Sequence, residues 1–553
     1  MTVVQLPKAN RAKAAAIPGA YWDAGANAFL LDTDLNPSGA QLARNLFPEI
    51  RDQIPAPDSG PPQSYRPIDL ATAWAKDQTV NELLPWCDDW IASKLYRYQQ
   101  IDLGYIVARM RKDGGGYLGW DRGLGKTLGA ITVAQELLCD SVVVVCPNQS
   151  KEMVWLPEVR KWTRQHDDAP SVYVVKGSKA AREQAIKTWR SYGGYLLIHY
   201  EALRLVDPSS LKCDLVIVDE SHRLANGRSG TGAPKFYQAL MKIKSTYRLA
   251  LSGSIITNSA EDFYGALHWL FPTRYRSKWR DWCDRYLIYQ HNGFARTLVG
   301  PDPRKIGSMR QELAAFMVVR IKEDELEGLP AITTQHMRVE LSPSQRKVYD
   351  KLAKDFIAEL PDGSSLTAPN VAVALIRLRQ VATGMELLDK NESRDPGFVD
   401  STKLEAAEEI IEATLPNKIV VFCWHRATVD ALAYRLRGRG IKNVSCVSGG
   451  TPMSKRTQIV ADFTDGDTNV LIATIKTLGE SVNLQSAADL VFIESSWTAA
   501  DMDQARDRVY RNGQTRPVTV THIIAADTVD ETHVMPKVAD KAALRRVLLG
   551  GRA

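Results

Sequence analysis

Two stretches of this sequence combine side chains that could bind and cleave a polyphosphate. In GYLGWDRGLGKT (116–127), GYLGW predicts a buried strand, DRGLG a tight turn and the following KTLGAITVAQELL a helix. This succession directs backbone N–H groups and the positive helix end at phosphate oxygens. The Lys126 ammonium would reach the β- and γ-phosphates, and the Thr127 hydroxyl would ligate Mg²⁺. Trp120 replaces the first glycine of the standard pattern G-x-x-x-x-G-K-[ST], so a simple strand-to-helix turn is the alternative.

The second stretch is LVIVDESHR (215–223), an apolar run that ends in an acidic pair. Ligands of α/β proteins bind at the carboxyl ends of parallel strands, which is where Asp219 and Glu220 would lie. Asp219 would ligate Mg²⁺, and Glu220 would orient and deprotonate an attacking water. An acidic pair at a strand end is common by itself. Downstream of a G-K-T loop, it predicts nucleotide hydrolysis.

A third stretch, DQARDRVYRNGQ (503–514), holds two arginines at a spacing of three. That spacing predicts that Arg508 and Arg511 share one face of a helix. Two guanidiniums suit the charge that develops on a γ-phosphate during transfer. The alternative is a solvated helix in which Asp503 and Asp507 pair with the arginines, and the stretch taken alone favours it.

Continuous apolar runs along the chain predict the elements that hold these side chains. Such runs are typical of strands covered on both faces, as in a parallel α/β sheet. Those of the first half are SVVVVCP (141–147), YLLIHY (195–200), CDLVIVDE (213–220) and YRLALSG (247–253). Those of the second half are KIVVFCW (418–424), NVSCVSG (443–449), NVLIAT (469–474) and DLVFIES (489–495). We therefore expect an α/β protein with two RecA-like parallel-sheet domains, a helical insertion and a small N-terminal α+β module.

Bulk composition excludes several classes of protein. The 553 residues are 44% hydrophobic and 24% charged with a net charge of +6, which permits a polyanionic partner without demanding one. The seven cysteines form no C-x-x-C pair, so we expect reduced thiols and neither a zinc site nor disulfides. The absence of a long apolar run or signal-peptide block predicts no membrane partner and a cytoplasmic location, in the nucleoid or an infected host.

Taken together, the motifs resemble those of the Swi/Snf-type DNA translocases of helicase superfamily two. The resemblance runs in order from Leu95 to Gln514, and in this family motif I characteristically lacks the first Walker glycine. In the first half, LYRYQ (95–99) resembles the Q motif, WDRGLGKT (120–127) motif I, VVVVCP (142–147) motif Ia, DESH (219–222) motif II and LSGSIITN (251–258) motif III. In the second half, KIVVFC (418–423) resembles motif IV, LIATIKTLGESVNL (471–484) motif V and WTAADMDQARDRVYRNGQ (497–514) motif VI.

The resemblance implies ATP and Mg²⁺ as cofactors, DNA as the partner and specific roles for individual residues. The implied catalytic residues are Lys126, Asp219, Glu220, Arg508 and Arg511, with Thr127 and Asp219 on the metal. The implied nucleotide-binding residues are Gln99 (on the adenine), Gly123, Leu124, Gly125, Lys126, Thr127 and Gln504. The implied coupling or DNA-contacting residues are His222, Ser252, Ser254, Thr474, Lys476 and Gly479. The sequence departs from the family at Ile255, where proline is usual, and at Leu478 and Ser481, where glycine is usual.

Two flanking regions carry weaker signals. The stretch IPGAYWDAGANAFLL (17–31) is similar to the small HARP-type domain of annealing helicases, and the alternative is that Trp22 is merely the core of a capping domain. TRYRSKWRDW (273–282) predicts either a basic, aromatic nucleic-acid surface or an amphipathic helix that buries Tyr275, Trp279 and Trp282. The expected divisions are the N-terminal module (1–50), linker and lead-in (51–90), first RecA-like domain (91–270), helical insertion (271–330), second RecA-like domain (331–530) and basic C-terminal helix (531–553).

The function implied by the resemblance is ATP-driven translocation along duplex DNA that remodels or anneals forked or branched DNA. Two alternatives stay open. The chain could be the motor subunit of a restriction or phage-defence system, or a non-catalytic DNA-binding adaptor that keeps only the fold.

Overall fold

The computed structural model divides the chain into two compact units, one up to residue 327 and one from residue 328 to residue 539. It describes residues 3–6, 20–23, 28–32, 71–72, 78–163, 171–227, 232–254, 259–276, 278–291, 296–326, 328–358, 368–384, 400–478 and 482–535, and single residues 43, 47, 53 and 75. Residues 54–70 of the predicted linker and lead-in (51–90) and residues 536–553 of the predicted C-terminal helix lie outside these ranges.

Three short strands lie near the N-terminus: β1 (Val3–Gln5), β2 (Ala20–Asp23) and β3 (Ala28–Asp32). They pair antiparallel in the order β1-β3-β2. Val4, Leu31 and Phe47 are among the side chains buried against one another beside this sheet. The module predicted for residues 1–50 therefore contains strands with a small core of their own, and its HARP-type identity stays a prediction.

The strands of the first unit follow in chain order. They are β4 (Gly115–Trp120), β5 (Ser141–Cys146), β6 (Val172–Val174), β7 (Gly194–His199), β8 (Lys212–Val218), β9 (Lys244–Leu251), β10 (Leu287–His291), β11 (Arg296–Pro301) and β12 (Met317–Arg320). A parallel sheet has the order β12-β4-β9-β8-β5-β7-β6, and β10 and β11 form a separate antiparallel hairpin. The predicted strands 116–120, 141–147, 195–200, 213–220 and 247–253 are confirmed.

The register of this sheet aligns the ends of its central strands. Val145 pairs with Val218, Val218 with Ala250, and Leu118 with Leu251. The residues that follow these strands therefore meet at one edge of the sheet. Apolar side chains of alternating strand positions enter two separate clusters, one on each face, which explains the unbroken apolar runs.

Helices cover the sheet and extend the first unit. The α-helices are Val80–Leu83, Asp89–Lys94, Arg97–Asp113, Lys126–Glu136, Leu156–Thr163, Lys179–Tyr192, Lys235–Leu240, Asp262–Leu270, Pro272–Tyr275, Trp279–Tyr286, Ile306–Ala314 and Lys322–Glu325. A π-helical turn spans Lys151–Trp155, and 3₁₀ turns span Tyr200–Arg204, Pro208–Ser210 and Ser221–Leu224.

The region predicted as a helical insertion (271–330) contains helices, but it also contains the β10–β11 hairpin and strand β12. Strand β12 is the outer neighbour of β4 in the first sheet. Tyr275 and Trp282 are buried in the core, and Trp279 packs against it. These aromatic faces are therefore unavailable for stacking on bases, which favours the amphipathic-helix alternative for residues 273–282.

The second unit holds a six-stranded parallel sheet in the order β13-β18-β17-β14-β16-β15. Its strands are β13 (Ile332–Val339), β14 (Ile419–Cys423), β15 (Val444–Val447), β16 (Val470–Thr474), β17 (Asp489–Phe492) and β18 (Val518–Ala525). Its α-helices are Pro343–Ala358, Ala368–Ala382, Thr402–Thr414, Arg426–Gly438, Met453–Asp465, Ile475–Leu478 and Ala499–Arg506, and a π-helical turn spans Asp530–Val534. The prediction of two parallel-sheet α/β domains is confirmed.

All seven cysteines are free, and burial raises the pKa of the Cys87 thiol to about 12. None of the helices within the described ranges combines the length and the apolar character needed to cross a bilayer.

Candidate functional site

The glycine loop lies at the carboxyl end of β4 and leads directly into the helix Lys126–Glu136. Gly123 and Gly125 have φ angles of +91° and +81°, which are left-handed conformations that side chains with a Cβ rarely adopt. A Cβ on Gly125 would also lie 2.7 Å from Nε2 of Gln99. Both glycines are therefore required by the backbone, and the loop places the first N–H groups of the helix at the sheet edge.

The Lys126 ammonium is held by the start of its own loop. Nζ donates to the carbonyl oxygens of Trp120 at 2.9 Å and Asp121 at 3.1 Å. Burial lowers the pKa of Lys126, and the nearby carboxylates of Glu220 and Asp219 oppose that effect. The structure thus brings the lysine and the acidic pair together, as the sequence predicts.

Trp120, at the position of the missing Walker glycine, has its side chain fully buried in the core. Its indole Nε1 donates to Oδ2 of Asp102 at 2.8 Å, and Asp102 pairs with Arg320 at 2.6 Å. Tyr98 packs edge-on against the indole with ring centroids 5.7 Å apart. The indole therefore takes no space in the loop, and only the Trp120 carbonyl faces Lys126.

Gln99 links the start of its helix to the glycine loop. Its Oε1 accepts from the N–H of Tyr96 at 2.8 Å, and its Nε2 donates to the carbonyl of Leu124 at 3.0 Å. The Tyr98 hydroxyl donates to the same carbonyl at 3.1 Å. The Gln99 carboxamide thus lies beside the loop and is oriented by backbone groups, and its contact with adenine stays a prediction.

The acidic pair directly follows β8. Among the described residues, Oδ1 of Asp219 accepts from the N–H of Glu220 at 2.9 Å, and Oδ2 accepts from the indole of Trp155 at 3.0 Å. Burial, reinforced by the neighbouring Glu220 charge, raises the pKa of Asp219. The backbone of Glu220 is left-handed with φ +52°, a strained conformation for a residue with a Cβ and one found at functional sites.

Glu220 remains a carboxylate because cations surround it. Burial acts to raise the pKa of Glu220, but the adjacent His222 and the Arg122 and Lys126 charges outweigh burial, and the net pKa is lowered. Nδ1 of His222 lies 3.2 Å from Oε2 of Glu220. A lowered pKa keeps this group ionised at neutral pH, so its oxygens can accept a hydrogen bond from a water molecule.

A chain of polar contacts connects the predicted motifs I, II and III. His222 Nδ1 lies 3.3 Å from the Ser252 hydroxyl, which also accepts from the N–H of Ser254 at 3.0 Å. Arg122 Nη2 donates to the Ser254 hydroxyl at 2.8 Å and so closes the chain onto the glycine loop. Sequence reasoning missed Arg122, although its place between Asp121 and Gly123 within the loop was a usable signal. Ile255 lies outside the described residues.

In the second unit, the prediction that Arg508 and Arg511 share a helix face is wrong. The helix ends at Arg506, and the N–H groups of Arg508 and Val509 bond to carbonyls only three residues back. The backbone turns because Val509 and Tyr510 enter the core of this unit and because the Arg508 carbonyl accepts from the N–H of Leu484. Arg506 forms ion pairs with Asp503 and Asp507, and the charge of Asp507 also acts on Arg511.

Gln514 fixes the loop that carries these arginines. Its Nε2 donates to the carbonyls of Gln485, Ala487 and Val509, and its Oε1 accepts from the N–H groups of Thr515 and Arg516. Gln514 was part of the recognised motif, but sequence reasoning gave it no role. Arg511 is half-buried, and this burial lowers its pKa. Gln504 is half-buried on the preceding helix.

The remaining predicted coupling residues follow β16. The Thr474 hydroxyl lies 2.6 Å from that of Thr477, and Lys476 Nζ lies 4.7 Å from the centre of the Trp424 ring. The sequence predicted neither contact. Gly479 and Ser481 lie outside the described residues.

The donor set in the first unit fits a hard divalent cation. An ionised carboxylate offers about four lone-pair positions, and the two protein donors leave positions open on both oxygens of Asp219. Mg²⁺ prefers oxygen ligands and typically takes one or two carboxylates together with phosphates. Asp219 and the Thr127 hydroxyl are the residues that would hold it.

Comparison with protein-family models gives two matches that follow each other along the chain. Residues 98–387 match the SNF2-related domain, and residues 402–513 match the helicase conserved C-terminal domain. The first match alone covers more than half of the chain and contains the glycine loop, the acidic pair and the Ser252–Ser254 turn. The second contains Gln504, Arg508 and Arg511.

Curated relatives agree with these matches. The chain is 26% identical to an uncharacterized ATP-dependent helicase of Mycoplasma genitalium, over 79% of this chain and 41% of the relative. It is 25% identical to the mouse DNA annealing helicase and endonuclease ZRANB3, over 86% of this chain and 42% of the relative. The chain thus spans less than half the length of these two relatives. Among solved structures, the Sulfolobus solfataricus SWI2/SNF2 ATPase core in complex with dsDNA is 21% identical, with a TM-score of 0.38, over 82% of this chain and 97% of that one.

Proposed function

Since the chain belongs to the SNF2-related family, we propose that it is a DNA-dependent ATPase that translocates along duplex DNA. The observation that carries the proposal is the meeting of Lys126, Asp219 and Glu220 at the aligned carboxyl ends of β4 and β8. A structural turn or a degenerate adaptor has no need of a half-buried lysine beside two half-buried acids, because removing such charges from water is costly.

The residues of the first unit have distinct tasks in hydrolysis. Lys126 leaves the carbonyls of Trp120 and Asp121 and binds the β- and γ-phosphates together with the helix N-terminus. Asp219 and Thr127 would hold Mg²⁺, which would neutralise phosphate charge. Glu220, which its lowered pKa keeps ionised, orients the attacking water and accepts its proton. Gln99 contacts the adenine.

We assign the second unit the stabilisation of developing charge. The half-buried guanidinium of Arg511 and that of Arg508 would bind the γ-phosphate in the transition state, and Gln504 would contribute to nucleotide binding. A protein that moves along duplex DNA by contacting its phosphates should bind DNA independently of sequence and with a strong dependence on salt concentration.

Forked or branched DNA is the substrate that we propose within this class. Two observations support it: the Ile-Pro-Gly-x-x-Trp-Asp pattern near the N-terminus and the similarity to a relative named as a DNA annealing helicase. Remodelling or annealing of such DNA during repair, replication or recombination is the corresponding activity.

The test is ATP turnover, measured as phosphate release, with duplex, single-stranded and forked DNA and with RNA. We expect strong stimulation by duplex DNA, the strongest by forked DNA and little by RNA. DNA binding without turnover would instead identify an adaptor. Equal stimulation by plain and forked duplex would remove the fork proposal and leave the translocase, and a restriction or defence motor would then be favoured.

Lys126→Ala should abolish turnover while leaving DNA binding largely intact. The substitution removes the charge that contacts the phosphates, and loss of one such electrostatic contact costs on the order of 100- to 1,000-fold in kcat. Phosphate release and DNA affinity, compared with the wild type and with the exposed control Lys112→Ala, measure both effects. Normal turnover in Lys126→Ala would contradict the assignment of the phosphate site.

A further inference from the structure

A tryptophan far from the acidic pair in sequence contacts the metal-binding carboxylate. The Trp155 side chain is fully buried, and its Nε1 donates to Oδ2 of Asp219 at 3.0 Å. The other oxygen of Asp219 accepts from the backbone N–H of Glu220. The carboxylate is therefore fixed at both oxygens, one by the strand end and one by a rigid side chain from another element.

The element that presents Trp155 is itself anchored. Trp155 closes the π-helical turn Lys151–Trp155 that follows β5, and the N–H of Leu156 bonds back to the Lys151 carbonyl. At the other end of the turn, the buried Lys151 Nζ donates to the carbonyl of Val175 at 3.1 Å and lies 3.2 Å from Nδ1 of His199. Single π turns within helices are frequent at functional sites. This one is held by the ends of neighbouring strands and sets the position of the indole.

We propose that Trp155 is a positioning residue that sets the affinity of the Asp219 site for Mg²⁺. The indole N–H donates but cannot accept, so it fixes the carboxylate plane without competing as a ligand. With that plane fixed, the open lone pairs of Asp219 point in a constant direction, and the metal meets a preorganised ligand. Groups that hydrogen-bond to metal ligands commonly contribute in this way. The inference rests on the proposed nucleotide and Mg²⁺ site.

The test compares two tryptophan-to-phenylalanine variants in the full chain. Trp155→Phe keeps an aromatic ring in the core and removes the N–H. Trp189→Phe is the matched control, because Trp189 is also buried in the first unit and its Nε1 donates to the Gly194 carbonyl at 2.9 Å, at the opposite end of the strands. Thermal unfolding checks that both variants fold.

The readout is binding of N-methylanthraniloyl-ADP, followed by fluorescence anisotropy while Mg²⁺ is titrated. Anisotropy avoids energy transfer from tryptophan, which the substitutions would change. In Trp155→Phe, we expect the Mg²⁺ concentration that gives half of the maximal anisotropy change to rise about tenfold. Binding of the labelled ADP in EDTA should be unchanged. Trp189→Phe should match the wild type in both measurements. A second readout is the ¹⁵N indole resonance of Trp155, which should shift when Mg²⁺ is added to the ADP complex.

The outcomes separate this inference from the proposed function. If wild-type ADP binding responds to Mg²⁺ and Trp155→Phe responds at the same concentration, the positioning role is refuted and the nucleotide site stands. If the wild type shows no Mg²⁺-dependent nucleotide binding at all, the proposed function itself fails. An equal rise in both variants would reduce the effect to general destabilisation and also refute the role.

Discussion

At the scale of single residues, the indole of Trp120 lies in the core of the first unit while its carbonyl oxygen accepts from the Lys126 ammonium. A Cβ on Gly129 would lie 2.9 Å from the indole ring, so the helix after the loop is fitted closely around it. The position that is glycine in the standard pattern therefore contributes packing here, and the two later glycines provide the turn.

Replacing Trp120 with glycine, which would restore the standard pattern, should destabilise the protein. The substitution empties a fully buried site and leaves Asp102 without its indole donor, so we expect a loss of about 3–5 kcal/mol in the free energy of unfolding. Urea unfolding of the first unit measures it. Trp86→Ala is the control, since that side chain is 61% exposed and its removal should cost little. A stable Trp120→Gly variant would contradict the packing role.

Residue types and spacing were sufficient to predict that Lys126, Asp219 and Glu220 lie near one another, because the loop before Lys126 and the acidic pair each follow a strand that an apolar run marks. Trp155 and Arg122 escaped prediction for a physical reason. Their roles come from contacts with Asp219 and Ser254, which are distant in sequence, and no local periodicity reports such contacts.

At the scale of elements, most central strands and the edge strand β15 were predicted from apolar runs, whereas the edge strands β6, β12 and β13 and the inner strand β18 were not. Strand β13 is largely exposed, and its sequence ITTQHMRV has no apolar run. Strands β6 and β12 are only three and four residues long, too short to form a periodic pattern. The helix end at Arg506 was missed as well, because burial of Val509 and Tyr510 overrides a spacing that suits a helix.

Strand β18 carries a histidine that should make stability depend on pH. His522 stacks on Phe492 with ring centroids 4.9 Å apart, and burial, with the nearby His336 and Arg506, lowers the pKa of His522 to about 4. Below its ordinary pKa of about 6.5, the unfolded chain binds a proton that the folded chain does not. Above that pH, His522 therefore does not lower the free energy of unfolding. As the pH falls toward 4, it lowers the free energy of unfolding progressively, by about 2 kcal/mol at pH 5.

His522→Phe removes this titration while keeping a flat ring against Phe492. The stability of the wild type relative to the variant should therefore fall between pH 7.5 and pH 5, as measured by urea unfolding of the second unit. Parallel pH profiles for the two proteins would show that His522 does not titrate as described.

At the scale of the whole molecule, the ATPase chemistry is predicted to draw on both α/β units, whereas the choice of DNA structure is predicted to depend on the N-terminal strands. Deleting residues 1–60 should lower the preference for forked over plain duplex DNA and leave basal ATP turnover unchanged, because the glycine loop and the acidic pair lie in the first sheet. Phosphate release with both DNAs measures the ratio. An unchanged fork preference would refute junction sensing by this module.

The position of the Lys126 amine on two backbone carbonyls has a consequence for ligand discrimination. Because the amine already has oxygen partners, an incoming anion must displace them, and the net gain is the difference between two sets of contacts. A singly charged anion offers little advantage over two peptide carbonyls, whereas a triphosphate chain offers several charged oxygens at once. The loop should therefore bind a triphosphate in preference to the simple inorganic anions of the cell.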